Sequence, residues 1–289
     1  MVLRKHNHTE AQFRRKMDEA TSRVGFDEIK KLKEKTVKEM AEFLGDKKGA
    51  FGWSGGKDSV VLADLCGELN LPSMIGISEE LEFTPFEEYI QANKPPNCSV
   101  YRNDFQTWEW LKENEDKIFV PDTKSANWWA QTTQRDLQDR YAEENDIDVL
   151  FYGRRIADGN YCGPTKEKYY TTKNDNFYKY LPMKRWNHYQ LFAYIKYFGL
   201  ELPFFYTDER LVGFFIGGPE RWASPLPVKI NDVIGLKGCW LRVYMVEPEI
   251  LEQAVEMEFK MAKETLEDIR DYGVRAMMKE CNFKQAELV

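Results

Sequence analysis

Residues 50–69 dictate a chain path before any other part of the sequence is considered. Ala50 to Trp53 is a short apolar run. Ser54-Gly55-Gly56-Lys57-Asp58-Ser59 follows at once, and Val60, Val61, Leu62, Leu65 and Leu69 then recur as the buried side of a helix. Two adjacent glycines let a backbone turn tightly and approach a ligand with no Cβ in the way. Successive N–H groups in such a turn form an anion nest, and the helix that follows adds its own unpaired N–H groups and the positive end of its dipole. Ser54 and Ser59 offer hydroxyls and Lys57 a full positive charge. A ligand with two or more phosphates is the natural occupant. Asp58 cannot bind phosphate by charge; its expected roles are to accept backbone N–H bonds that set the loop or to help place Mg²⁺. The Walker A spacing is absent, because Asp58 follows Gly56-Lys57 and no glycine lies five residues before Gly56.

The rest of the chain alternates in the same manner. Ser73 to Ile77, Ser99 to Arg102, Asp148 to Tyr152 and Phe177 to Leu181 read as further strands. Glu87 to Ala92, Trp128 to Glu144 and Tyr189 to Tyr197 read as helices between or after them. Such alternation predicts an α/β fold: a mainly parallel twisted sheet with helices on both faces. Helical additions flank it. Thr9 to Leu44 has helical period, broken at Gly25, with Asp27 as a candidate cap, and Pro248 to Met278 reads as one long helix. The expected division is an N-terminal helical segment 1–48, a nucleotide-binding domain 49–206 and a C-terminal extension 207–289 of loop and long helix. Within it, Gly213 to Trp222 reads as an aromatic loop on the substrate side; earlier in the chain, Tyr161 to Tyr180, with Lys166, Lys168, Lys173, Lys179 and several tyrosines, reads as a polar lid or hairpin, with a base-stacking, phosphate-holding surface as the lesser reading.

Composition narrows the partners. A formal charge of -7 over 289 residues gives nucleic acid no bulk attraction, although a local basic patch is compatible with it. No apolar run approaches the roughly 18 residues of a membrane helix, and Met1 to Lys16 is polar, so the expected location is the cytoplasm. Cys66, Cys98, Cys162, Cys239 and Cys281 include no close pair, which predicts reduced thiols and no metal–thiolate cluster. His6 and His8 are assigned no metal, and His188 is expected to cap or pack near a helix start, with a general base as the lesser reading. The C-terminal helix is expected to pack on the domain's flank or to serve a homodimer.

The loop matches every fixed position of Ser-Gly-Gly-x-Asp-Ser, the signature of the PP-loop ATP pyrophosphatase superfamily, which it therefore resembles. Further segments resemble the phosphoadenosine-phosphosulfate (PAPS) reductase-like branch. These are Ser78 to Ile90, Gly153-Arg154-Arg155-Ile156-Ala157-Asp158, Leu181 to Ile195, and Leu202-Pro203-Phe204-Phe205-Tyr206. The likeness spans about Ala50 to Tyr206. It implies an adenine nucleotide alpha hydrolase-like fold and cleavage of ATP between its α- and β-phosphates, with Mg²⁺, to adenylylate an acceptor that the sequence does not name. Lys57, Asp58 and Arg155 would take catalytic roles. Ser54, Gly55, Gly56, Lys57, Asp58, Ser59, Gly153, Arg154 and Arg155 would surround the nucleotide, the two arginines forking onto phosphate or sulfate oxygens. Reductases of this branch use a cysteine in Glu-Cys-Gly-Ile-His. Here Cys281 lies in Lys279-Glu280-Cys281-Asn282-Phe283, and the loop is intact, which favours ATP chemistry. The alternatives are a PAPS- or APS-processing protein of sulfur metabolism and a nucleotide-binding accessory module for DNA modification.

Overall fold

The computed structural model describes residues 10–117, 123–171, 176–203, 206 and 233–281. Three helices come first: α1 (Glu10–Asp18), α2 (Ala20–Arg23) and α3 (Phe26–Leu44). Gly25, with extended backbone, is the N-cap of α3, and Asp27 lies in its first turn. Asp27 is therefore not the cap. Its carboxylate instead lies beside the positive end of the helix dipole.

Six strands follow: β1 (Gly49–Gly52), β2 (Ser73–Ser78), β3 (Cys98–Asn103), β4 (Val149–Phe151), β5 (Tyr169–Tyr170) and β6 (Tyr178–Tyr180). Their order across the sheet is β3-β2-β1-β4-β6-β5, parallel throughout except for the antiparallel edge pair β5–β6. The segment Tyr161 to Tyr180 thus supplies a short edge pair, with Tyr169 opposite Tyr180. Among the connecting helices, α4 (Lys57–Gly67) follows β1, α5 (Thr84–Asn93) follows β2, and α6 (Trp108–Glu113), α7 (Thr123–Ala130) and α8 (Asp136–Glu144) join β3 to β4. Five residues of π-helix, Gln131–Arg135, separate α7 from α8 within the single helix that the sequence suggests.

Alternation along the strands builds two apolar layers. Phe51, Ile75, Ile77, Val149 and Phe151 face one way, onto Val61, Leu62 and Leu65 of α4 and onto Leu191, Phe192 and Tyr194 of α9 (His188–Tyr197). Ala50, Met74, Leu150 and Tyr152 face the other way, onto Leu137, Tyr141 and Ala142 of α8. Burial on both faces is why these strands read as nearly continuous apolar runs. Truncating a fully buried ring such as Phe151 to alanine costs about 3–5 kcal/mol. The N-terminal helices close the first face. Tyr197 of α9 donates its hydroxyl to Thr21 O and Val24 O, at 3.1 and 3.0 Å.

The C-terminal region departs from expectation. An apolar helix unforeseen in the sequence, α10 (Val233–Val246), precedes Pro248. The predicted long helix is three: α11 (Pro248–Glu256), α12 (Ala262–Tyr272) and α13 (Val274–Glu280). Glu258, Met261 and Gly273 have φ of +57°, +65° and +81°, and turn the chain at the two junctions. Folding back lets Trp240, Leu251, Phe259, Leu266, Met277 and Met278 share one core, which a straight helix would leave open to water. The aromatic segment Gly213 to Trp222 and the pair Phe204-Phe205 lie outside the described residues.

Candidate functional site

The topology reverses at β1. From β1 the chain steps to β2 and β3 on one side, then crosses to β4 on the other. The C-terminal ends of β1 and β4 therefore part, and open α/β sheets take their ligands in such a crevice. The two loops the sequence singles out both leave from it: Trp53 to Gly56 after β1, and Tyr152 to Arg155 after β4.

Two glycines let these loops meet. Gly55 has φ +69°, and a Cβ there would lie 2.8 Å from Cε1 of Tyr89. At Gly153 a Cβ would stand 3.0 Å from the carbonyl carbon, oxygen and Cβ of Asp58, so the β4 loop touches the first loop backbone to backbone. Ser54 is exposed. Ser59 turns inward instead: its hydroxyl accepts from Ser54 N and Ser54 Oγ at 3.1 and 3.2 Å and donates to Gly56 O at 3.0 Å. Ser59 is thus a staple of the loop rather than a free donor. Lys57 begins α4, and the first turn of a helix has no internal acceptor for its N–H groups. Among the described residues nothing accepts from the N–H groups of Gly55, Gly56 or Asp58.

Behind this nest sits a buried ionic cluster. Lys57 is 1% exposed and Arg155 0%. Lys57 Nζ lies 2.7 Å from Asp58 Oδ2 and 3.2 Å from Asp158 Oδ1. Arg155 Nε donates to Asp58 Oδ1 at 2.6 Å, Nη2 lies 2.9 Å from Asp158 Oδ2, and Nη1 donates to Trp186 O at 3.2 Å. Two cations face two anions, which offsets most of the cost of burying each. Burial opposes the charge on Lys57, but Asp58 and Asp158 outweigh it and hold the ammonium above its ordinary range. Burial likewise opposes the Asp58 carboxylate, and Arg155 and Lys57 overcome it, lowering its pKa. The side chain of Asp58 therefore sets the loop through these cations. Backbone N–H groups do not carry that role.

The neighbouring arginines part company. Arg155 is in extended backbone and points into the cluster. Arg154, one residue earlier, is half-buried, with its guanidinium carbon 5.4 Å from the centre of the Tyr152 ring. No carboxylate among the described residues pairs with Arg154. Of the predicted pair, Arg155 is committed to internal partners, and Arg154 stands outside that cluster.

His188 is the first residue of α9, whose cap is Asn187 in a reciprocal pair with Gln190. His188 is therefore not the cap. Nε2 lies 3.1 Å from Ala157 O and so carries the proton, which leaves Nδ1 facing Arg155 Nη2 at 3.5 Å. Burial and the Arg155 charge push its pKa down to about 4, so the ring is neutral near pH 7.

Sequence reasoning missed three contributors. Asp158 stands three residues after Arg155 and binds both cations. Tyr206 is buried, its hydroxyl accepts from Lys57 N at 3.5 Å, and burial pushes its pKa up to about 12. Tyr89 donates to Gly55 O at 3.4 Å and stacks between Trp53 and Phe86. Only the Arg155–Asp158 spacing carried a local signal. The tyrosines reach the loop from distant segments.

The description "Phosphoadenosine phosphosulfate reductase domain" matches residues 48–213, more than half of the chain. The chain belongs to the PAPS reductase domain family. It is thus a PP-loop ATP pyrophosphatase superfamily protein of the PAPS reductase-like branch, with the α/β fold expected of it. Solved structures resemble it distantly. A Candida auris PAPS reductase in complex with phosphate is 13% identical, with TM-score 0.45, over 64% of this chain and 92% of that one. NMN synthetase from Francisella tularensis is 20% identical, with TM-score 0.42, over 60% and 71%. Candida glabrata FMN adenylyltransferase in complex with ATP is 16% identical, with TM-score 0.39, over 69% and 68%. No curated protein matches the chain. No described helix is long and apolar enough to cross a membrane.

Proposed function

We propose that the chain binds ATP with its β- and γ-phosphates on residues 54–59 and cleaves it between the α- and β-phosphates, adenylylating an acceptor. The observation that carries this reading is the nest at the switch point. The N–H groups of Gly55, Gly56 and Asp58 have no acceptor among the described residues, and they stand at the start of α4 where a Cβ on Gly55 would close the turn. Arg154, half-buried over the Tyr152 ring, suits the pyrophosphate as it leaves. Lys57 and Arg155 act from behind, as buried charges that raise the local positive potential and fix the loop. Catalysis rests on positioning and charge stabilisation.

Among the described residues no three His, Cys, Asp or Glu are grouped to cage a metal. Mg²⁺ usually takes phosphate oxygens and one or two carboxylates, so ATP would bring most of its ligands, with Asp58 and Asp158, both on Lys57, as the carboxylates that would complete the set. When bound it would neutralise charge on the phosphates. A second reading, processing of PAPS or APS in sulfur metabolism, draws on the family itself. It requires a reactive cysteine. Cys66, Cys162 and Cys239 are buried, Cys98 and Cys281 partly so, and burial raises the thiol pKa of all five, against reactivity.

The test is calorimetric titration with ATP, APS and PAPS, each with Mg²⁺, for the wild type and Lys57→Met, alongside assays of pyrophosphate and orthophosphate release in the presence of candidate acceptors. ATP bound most tightly, a weakened variant and pyrophosphate as product support the proposal. Tighter PAPS or APS binding with loss of function in a Cys→Ser variant overturns it in favour of sulfur chemistry.

A further inference from the structure

The helices α10 to α13 lie beyond the family match, yet a side chain between two of them holds the start of α5. Glu247, between α10 and α11, receives the backbone N–H of Thr84 at 2.8 Å and the Thr84 hydroxyl at 2.5 Å. Thr84 is the first residue of α5, and 163 residues separate the partners. The start of α5 needs such help. Its N-cap is Phe83, which makes no side-chain cap bond, and Pro85 has no N–H to offer. Glu247 thus supplies from outside the acceptor and negative charge that a capping side chain normally supplies from within.

The middle of α5 is what shapes the loop. Phe86 and Tyr89 stack with a 14° interplanar angle, and Tyr89 stacks in turn on Trp53. The Tyr89 ring occupies the space a Cβ at Gly55 would need, and its hydroxyl donates to Gly55 O. A continuous path therefore runs from Glu247 through Thr84 and α5 to Tyr89 and Gly55. We propose that Glu247 is a positioning residue for the phosphate loop, through which the C-terminal helices hold α5, and hence Gly55, in the nucleotide-binding conformation. The proposal rests on the loop's being the nucleotide site, and its test separates the two.

A second docking point lies apart from this path and serves as the comparison. Glu115 receives the N–H of Lys260 and pairs with Lys112, whose Nζ also donates to Glu258 O at 2.7 Å. The experiment uses the full chain as wild type, Glu247→Ala, Glu247→Gln and Glu115→Ala. Hydrogen exchange is measured without nucleotide over peptides spanning residues 53–62 and 83–93, and the Kd for ATP with Mg²⁺ by calorimetry. Glu247→Ala is expected to speed exchange in both peptides selectively and to raise Kd about fivefold, the effect of one lost helix cap. Glu247→Gln keeps an acceptor oxygen and should restore most of both. Glu115→Ala should leave both peptides and Kd as in the wild type. Unchanged exchange at residues 53–62 in Glu247→Ala overturns the proposal, as does an equal disturbance from Glu115→Ala. If the wild type binds no ATP, the functional reading fails, while the exchange comparison still decides the coupling.

Discussion

Acid should destabilise this protein through His188, and the size of the effect follows from the site. The ordinary histidine value is 6.5 and that of His188 about 4, a gap of about 2.5 pH units. Burial is the first cause and the Arg155 guanidinium the second; Lys57 and Lys16 act in the same direction, and Asp158 opposes them. Between the two values the unfolded chain binds a proton that the folded chain refuses. Stability from this residue is therefore intact above about pH 6.5 and is lost progressively as pH falls toward 4. At about 1.4 kcal/mol per pH unit the ceiling is about 3 kcal/mol, and residual water contact reduces it to about 2 kcal/mol. His188→Gln keeps a donor for Ala157 O and removes the titration. Urea unfolding of both proteins at intervals from pH 4.5 to 7.5 measures the difference. The wild type should lose about 1–2 kcal/mol more than the variant across that range. Parallel stability curves would refute the reasoning, because they would mean that His188 is protonated in the folded chain as readily as in the unfolded one. The Asp58 carboxylate, also lowered in pKa, loses its contribution only below its ordinary value of 3.8 and so leaves this window clear.

Asp158→Asn leaves Lys57 and Arg155 to share Asp58 as their one carboxylate, an excess buried positive charge that should cost about 3–5 kcal/mol in chemical denaturation. A loss below about 1 kcal/mol would show the cluster to be well hydrated. Gly153→Ala puts a methyl 3.0 Å from the Asp58 backbone and should cost about 1–3 kcal/mol, with weakened nucleotide binding as the two loops separate. Gly67→Ala is the control, since its Cβ enters open space at the end of α4, and it should stabilise by up to about 1 kcal/mol. Gly273→Ala, at φ +81° between α12 and α13, should lower stability by about 1–2 kcal/mol, whereas a neutral result would argue for one continuous helix there.

The parallel core of the fold was legible in the sequence because its signals are local. Ala50 to Trp53, Ser73 to Ile77 and Asp148 to Tyr152 are short apolar runs bounded by polar residues, and each lies within a residue or so of its strand. The tight turn between β1 and α4 was legible for the same reason: paired glycines between a strand and a helix allow few other structures. The C-terminal turns were not legible. The apolar spacing of Leu251, Phe259, Ala262 and Leu266 continues across them, and only the shared core around Trp240 and Phe259 favours folding back. The roles of the charges were also beyond the sequence. Lys57, Arg154 and Arg155 look alike as cations near a loop. Tertiary packing alone set Lys57 and Arg155 against Asp58 and Asp158 in a buried, nearly neutral cluster and left Arg154 half-buried over the Tyr152 ring. What a charge does depends on the water it has lost and the partner it has gained, and both are fixed by segments up to a hundred residues away in the chain.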